Sequence, residues 1–113
     1  MTEALQVITT TLTKEDAETL GLKLVERRLA ACAQVAGPIT SHYRWNDNIQ
    51  ISEEWMCIVK TERSHYAAVE NAIRELHTYE MPEILAYAVL DGSRAYLDWL
   101  HGQLSDLSGP KTV

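Results

Sequence analysis

ACAQVAGPITSHYRWNDNIQISEEWMCIVKT, residues 31–61, reads as two long strands joined by a polar turn at Asn46-Asp47-Asn48. In the first limb Ile39, Ser41, Tyr43 and Trp45 alternate with Thr40, His42 and Arg44. Side chains alternate across a strand with period two, so this limb is half wet and half dry. The second limb changes along its length. Ile49, Gln50, Ile51 and Ser52 still alternate, but Trp55-Met56-Cys57-Ile58-Val59 is apolar on both faces. A strand that is dry on both sides needs cover on both sides. Gly37-Pro38 interrupts the first limb. Proline cannot donate to a ladder, so a bend, bulge or local edge is expected there.

Outward from the hairpin, the flanking segments alternate between the two regular periods. Residues 4–11 are rich in β-branched side chains and predict a first strand. Thr13 is an N-cap candidate, with Glu15 and Asp16 in the first turn of a helix running to about Arg28. Ala17, Leu20, Leu24 and Val25 give that helix one dry stripe, and Gly21 on the same side permits close approach to a sheet. After the hairpin, Ser64 is expected to cap a second helix whose dry stripe is Val69, Ala72, Ile73 and Leu76, ending near His77. Met81-Pro82 biases the chain away from helix and opens a strand over 83–90, again apolar on both faces. Asp91-Gly92 turns the chain, and Ser93 caps a short helix carrying Tyr96, Leu97, Leu100 and Leu104. Residues 105–113 are polar and predict a frayed tail.

This order predicts an α+β fold: one domain over 1–113, a ferredoxin-like βαββαβ subunit with a long β-hairpin and a short C-terminal helix. Right-handed crossovers place both main helices on one sheet face. The other face has too little cover. Leaving about 500 Å² of apolar sheet wet forgoes about 12 kcal/mol at about 25 cal/mol per Å². A homo-oligomer in which copies shelter each other is therefore expected.

Composition narrows the partners. The chain has 113 residues, 16 acidic and 10 basic, for a net charge of -6. No basic cluster exceeds Arg27-Arg28, and Phe is absent, so neither a phosphate-binding stripe nor the aromatic platform of RNA-recognition domains is available. No apolar run is long enough to span a membrane, and no basic-then-apolar leader is visible. Two cysteines, Cys32 and Cys57, do not make a disulfide framework, and a reduced, cytoplasmic protein is expected.

The chemistry-bearing residues are few. His77 is an imidazole ligand candidate for copper or zinc, although a tight site uses three or four ligands; its alternative is a helix-end hydrogen bond. Cys32 and Cys57 are soft ligands in principle and buried structural thiols in the competing reading. Lys60 emerges from the dry strand on the face of Met56 and Ile58, which calls for a partner, and Glu83 is the candidate. Tyr43, Trp45, Trp55 and Trp99 are large anchors suited to subunit assembly. The turn after the first strand lacks the arginine of an acylphosphatase anion loop. No Ser/His/Asp grouping, carboxylate pair, Gly-rich phosphate loop or Cys-x-x-Cys pair appears, so the protein is not expected to be an enzyme.

Five landmarks then carry a resemblance. Leu29-Ala30-Ala31-Cys32, Ser41-His42-Tyr43-Arg44-Trp45, Lys60-Thr61, His77-Thr78-Tyr79-Glu80-Met81-Pro82-Glu83 and Tyr96-Leu97-Asp98-Trp99 stand in order. Over roughly residues 7–104 the chain resembles CutA, the divalent-cation tolerance family. The resemblance implies a tight trimer whose hairpins extend the sheets between subunits, and a role linked to copper and other divalent cations. It also implies Lys60, Tyr79 and Glu83 as walls of a small polar pocket between subunits, able to hold an anion or metabolite. In some bacterial relatives copper binding is attributed to a cysteine late in the first strand and a His-His pair. Here Thr9 stands at the first position and Leu76-His77 at the pair, so one of the three remains. Thr78 replaces a usual proline, and Asp47 a frequent glycine. The expected function is divalent-cation (copper) tolerance in a cytoplasmic homotrimer, which binds Cu²⁺ or another divalent cation weakly or acts through partners. No organic cofactor, nucleic acid or membrane is implied. The rival readings are a ligand-sensing trimer like the nitrogen-regulatory PII proteins, disfavoured by the short turn, and a passive trimeric scaffold.

Overall fold

β3, Asn48–Glu62, is hydrogen-bonded along both edges. On one side it pairs antiparallel with β1, Ala4–Thr11, from Ala4↔Glu62 to Thr11↔Trp55. On the other it pairs antiparallel with β2, Cys32–Trp45. The short β4, Leu85–Ala88, adds to the free edge of β1, giving the order β2-β3-β1-β4. This computed structural model describes residues 2–107. Three helices complete it: α1, Lys14–Glu26, between β1 and β2; α2, Tyr66–Leu76, between β3 and β4; and α3, Arg94–Gln103, at the end. The element order is therefore βαββαβα, as the patterning requires.

The local signals account for most boundaries. The Asp16 N–H donates to the Thr13 hydroxyl at 3.1 Å and starts α1. The Tyr96 N–H donates to the Ser93 hydroxyl at 3.2 Å and starts α3. Asn46 and Asp47 take φ of 50° and 63°, the left-handed conformation that two-residue hairpin turns of the I′ kind require at both centres. The turn is thus tighter than expected, and Asn48 already pairs with Trp45. At Gly37-Pro38 the peptide is cis, and the β2–β3 register shifts between Ala36 and Ile39. The anticipated bulge is there, with β2 continuous through it.

Three expectations are corrected. Ser64 does not cap α2. A 3₁₀ turn, Arg63–His65, intervenes, and no side chain caps Tyr66–Leu76. The Ser64 hydroxyl is taken up by the neighbouring imidazole, 2.8 Å from His65 Nδ1, while His65 Nε2 donates to the Ser105 carbonyl at 2.7 Å. That second bond, with the Ser105 N–H donating to the Arg28 carbonyl at 2.9 Å, also ties down the first residue of the expected frayed tail; residues 108–113 lie outside the described part. The last strand is four residues rather than eight. Val89 still meets β1, donating to the Ala4 carbonyl at 3.1 Å.

One sheet face carries the main core. Val7, Cys57 and Val59 meet Ala17, Leu20 and Leu24 of α1 and Val69, Ala72 and Ile73 of α2, all nearly or fully buried. A Cβ on Gly21 would stand 2.8 Å from the Ala33 Cβ, so glycine is what lets α1 lie close to the sheet. Thr9, opposite Cys57, is fully buried there, and its hydroxyl has no hydrogen-bond partner. The other face is covered only at one end, where Leu100 of α3 packs on Ala4 and Ala31. His101 Nδ1 lies 2.9 Å from a Glu62 carboxylate oxygen and fastens this helix to β3. Beyond α3 that face is open. Leu85 and Tyr87 are half exposed, and Tyr43, Trp45, Ile49 and Ile51 stand out on both faces of the hairpin.

Two measurements check this packing. Thr9→Val keeps the shape and removes a buried, unsatisfied hydroxyl, so urea unfolding should show a gain of about 1 kcal/mol; a loss would mean that the hydroxyl has a partner. The hydrogen bond and charge of Glu62 raise the pKa of His101 above its ordinary value. A raised folded-state pKa makes the tie fully present below the unfolded value and lost as pH rises through the folded one. Imidazole resonances of His101 should titrate above those of the unfolded chain, and Glu62→Gln should remove most of the difference, leaving the smaller contribution of Asp98.

Candidate functional site

Glu54 sits on β3 one residue before the helix-facing Trp55, and so points to the open face. It is 7% exposed. Its partner comes from the segment after α2 through a short relay. His77 Nε2 lies 2.8 Å from the Thr10 carbonyl, and the Tyr79 N–H donates to His77 Nδ1 at 2.9 Å. A carbonyl only accepts, so the proton is on Nε2 and the ring is neutral. The two rings stand 4.8 Å apart by centroid. Held this way, the Tyr79 hydroxyl donates to Glu54 Oε2 at 2.7 Å. Burial first, and then this bond to Glu54, raise the pKa of the Tyr79 phenol. The phenol therefore stays protonated and acts as the donor, and Glu54 is held as the acceptor.

Around this pair opens a cleft of about 570 Å³. β1 contributes Thr10, and β2 contributes Ser41, His42, Tyr43 and Trp45. The segment after α2 contributes Tyr79, Glu80, Met81 and Glu83. The Tyr43 hydroxyl is fixed 2.9 Å from the Ser52 hydroxyl. Three carboxylates and three aromatic rings line the cleft, and no lysine or arginine does.

The expected site residues fall in different places. Tyr79 and Glu83 share the cleft; Lys60 does not. Lys60 lies opposite Gln6, four residues along β1 from Thr10, a distance of about 13 Å. Its ammonium stands 5.7 Å over the Tyr96 ring, so within one chain the anticipated Lys60–Glu83 pair does not form. Cys32 is half-buried opposite Lys60, at the far end of the sheet from His77. Both ring nitrogens of His77 are already in use. Cys57 is buried, which pushes its thiol up to about 11 and makes it a packing group rather than a ready thiolate. The four aromatics expected at one kind of surface separate. Tyr43 and Trp45 face the cleft. Trp55 packs against the helix-side core with Lys14 5.7 Å over its ring. Trp99 stacks on Tyr96 at 5.4 Å on α3. Among the described residues no three His, Cys, Asp or Glu side chains stand together as a metal-holding group. Glu54 was not singled out from the sequence. Its signal was an acid in phase with Met56 and Ile58 at the start of a dry run.

The fold and cleft define a small α+β protein with one covered sheet face, one open face and a ligand-sized acidic recess. The family model described as CutA1 divalent ion tolerance protein matches residues 5–103. A divalent-cation tolerance protein CutA of Thermus thermophilus is 38% identical over 94 residues, covering 83% of this chain and 91% of that one. A probable homolog in Encephalitozoon cuniculi is 39% identical over 94 residues, covering 83% and 82%. The solved CutA1 of Shewanella superposes with a TM-score of 0.89 at 33% identity, covering 92% of this chain and 97% of that chain. The Archaeoglobus fulgidus structure, described as a periplasmic divalent cation tolerance protein, gives 0.87 at 30% identity, covering 90% and 99%. The chain belongs to the CutA family of divalent-cation tolerance proteins.

The relay fixes what His77→Ala should do. It removes two hydrogen bonds and leaves the Thr10 carbonyl without its partner, so stability should fall by about 2–3 kcal/mol in chemical denaturation. Copper affinity should be unchanged in the same variant. A copper affinity that drops while stability holds would return His77 to the list of ligands.

Proposed function

We propose that the chain is the subunit of a homotrimer serving divalent-cation, and in particular copper, tolerance in the cytoplasm, where it holds metal ions weakly or acts through partners. The observation that carries this reading is the open sheet face. α3 covers only its Ala4 end, while Leu85 and Tyr87 on β4 and Tyr43 and Trp45 on the hairpin remain half exposed. Apolar surface of this kind is sheltered most simply by further copies of the same chain, and closed rings avoid open-ended growth. β4 has its outer edge free, and the projecting hairpin offers strands to pair with it. Membership in the tolerance family supplies the cation role. Free cysteines suit a reducing compartment. In this reading the protein is not an enzyme and needs no organic cofactor, nucleic acid or membrane.

Native mass spectrometry with and without Cu²⁺ and Zn²⁺ tests both halves. The expected species is three chains, with metal added in multiples of three at high metal excess only. Tyr87→Lys, which puts a charge on the open face, should shift the population to single chains that keep their secondary structure. Wild-type protein that stays a folded single chain, or that takes up no copper at any excess, would overturn the corresponding half.

A further inference from the structure

A second cavity, of about 420 Å³, lies between the end of β3 and the last turn of α3 with the residues that follow it. It is at the opposite end of β3 from the hairpin, and so stands apart from the hairpin surface that the assembly reading gives to other copies. Ser64 and His65 form one wall. His65 is 5% exposed, and each of its ring nitrogens is engaged in a defined sense. The Ser105 carbonyl, 2.7 Å from Nε2, can only accept, so the ring proton is on Nε2. Nδ1 is therefore a bare acceptor, and the Ser64 hydroxyl, 2.8 Å away, donates to it. This is the arrangement that activates a serine: a hydroxyl directed at a neutral imidazole whose other nitrogen is anchored. Adjacency of Ser64 and His65 in the sequence gives no such signal; the carbonyl of Ser105, 40 residues on from His65, creates it.

The rest of the wall suits an acyl donor. Ser64 is exposed and lines the cavity, and Leu104 and Leu107 supply apolar surface for an acyl chain. Ser105 lines the same cavity, and its buried hydroxyl has no hydrogen-bond partner among the described residues. The carbonyl oxygen of a bound ester would satisfy it. Glu62 and Asp106 add carboxylates to the wall, which turn away anionic donors. We propose that Ser64 is a nucleophilic site that takes an acyl group from an uncharged, activated ester. Ser64 Oγ bonds to the ester carbonyl carbon, its proton passes to His65 Nδ1, and the bond from that carbon to the leaving oxygen breaks. The proton then moves from Nδ1 to the departing oxygen, giving a free alcohol and acylated Ser64. A backbone carbonyl stabilises an imidazolium less than a carboxylate does, so a single transfer per chain is expected rather than rapid turnover. This goes beyond the tolerance reading and does not depend on it.

p-Nitrophenyl acetate is the probe. Release of nitrophenolate is followed on the full chain, and the acetylated position is read by peptide mass spectrometry. A single acetyl group per chain, at Ser64, is expected. The same chain unfolded in urea keeps every side chain but loses the Ser105 anchor, so its labelling at Ser64 should be lower by at least about tenfold. Ser64→Ala, at an exposed position, should keep the fold by circular dichroism and lose the release of nitrophenolate. His65→Asn should leave Ser64 unlabelled; should that variant not fold, the folded and unfolded wild-type chains still decide the matter. Acetyl groups confined to lysines, equal labelling of Ser64 in the folded and unfolded chain, or a folded His65→Asn protein that still labels at Ser64 would overturn the proposal. Copper uptake and subunit count are read separately, so failure here leaves the tolerance reading standing, and the reverse also holds.

Discussion

A strand paired on both edges has no freedom to turn away from its neighbours, and β3 is in that position from Met56 to Lys60. Its odd residues, Cys57 and Val59, are fully buried under two helices. Its even residues, Met56, Ile58 and Lys60, face the other way and have only α3 nearby. Period-two alternation makes this division unavoidable: any register that buried the even side would expose the odd one. Both helices lie on one side, so the second face is left to the end of the chain. At ten residues, α3 is about 15 Å long, too short to cover a sheet whose hairpin alone runs for about three times that distance. The open face is thus a consequence of topology and helix length.

The same strand supplies the acid at the edge of that open face. Glu54 comes where β3 leaves the covered core and enters the hairpin, and the polar relay from Thr10 through His77 and Tyr79 closes over it. Each member fixes the next. A backbone carbonyl selects the histidine tautomer, the histidine accepts from the Tyr79 amide, and the tyrosine delivers its hydroxyl to the carboxylate. A histidine at the end of a helix can serve as a ligand or as a strut, and here both of its ring nitrogens are engaged within the chain. Thr9 lies inside the core, where no ion could reach it without unpacking α1 and α2.

Legibility followed the range of the interaction. β1, the caps at Thr13 and Ser93, the close approach at Gly21 and the bulge at Gly37-Pro38 are all written in neighbouring residues, and the chain shows them. Ser64 misled because its hydroxyl had two possible partners, the α2 backbone and the ring of His65; the choice was made by Ser105, forty residues on. β4 was overdrawn because the apolar Ile84, Val89 and Leu90 read alike whether or not they pair. Lys60 and Glu83 were matched on charge for a pocket between subunits; within one chain the register places them at different ends of β1. The Glu54–Tyr79 bond spans twenty-five residues of chain and depends on the exit angle from α2, which no local pattern encodes.

These features meet at Glu54, the acid where the covered core gives way to the hairpin. A glutamine at position 54 could accept the same tyrosine hydrogen bond with a smaller desolvation penalty, so the hydrogen bond alone does not explain a carboxylate there. Packing does not explain it either, because the residue borders a cavity. A rigid donor fixes one carboxylate oxygen, the rings of Tyr43 and Trp45 line the same cleft, and no lysine or arginine of the same chain lines it. The open face and the Glu54 carboxylate lie side by side, so whatever covers the one also borders the other.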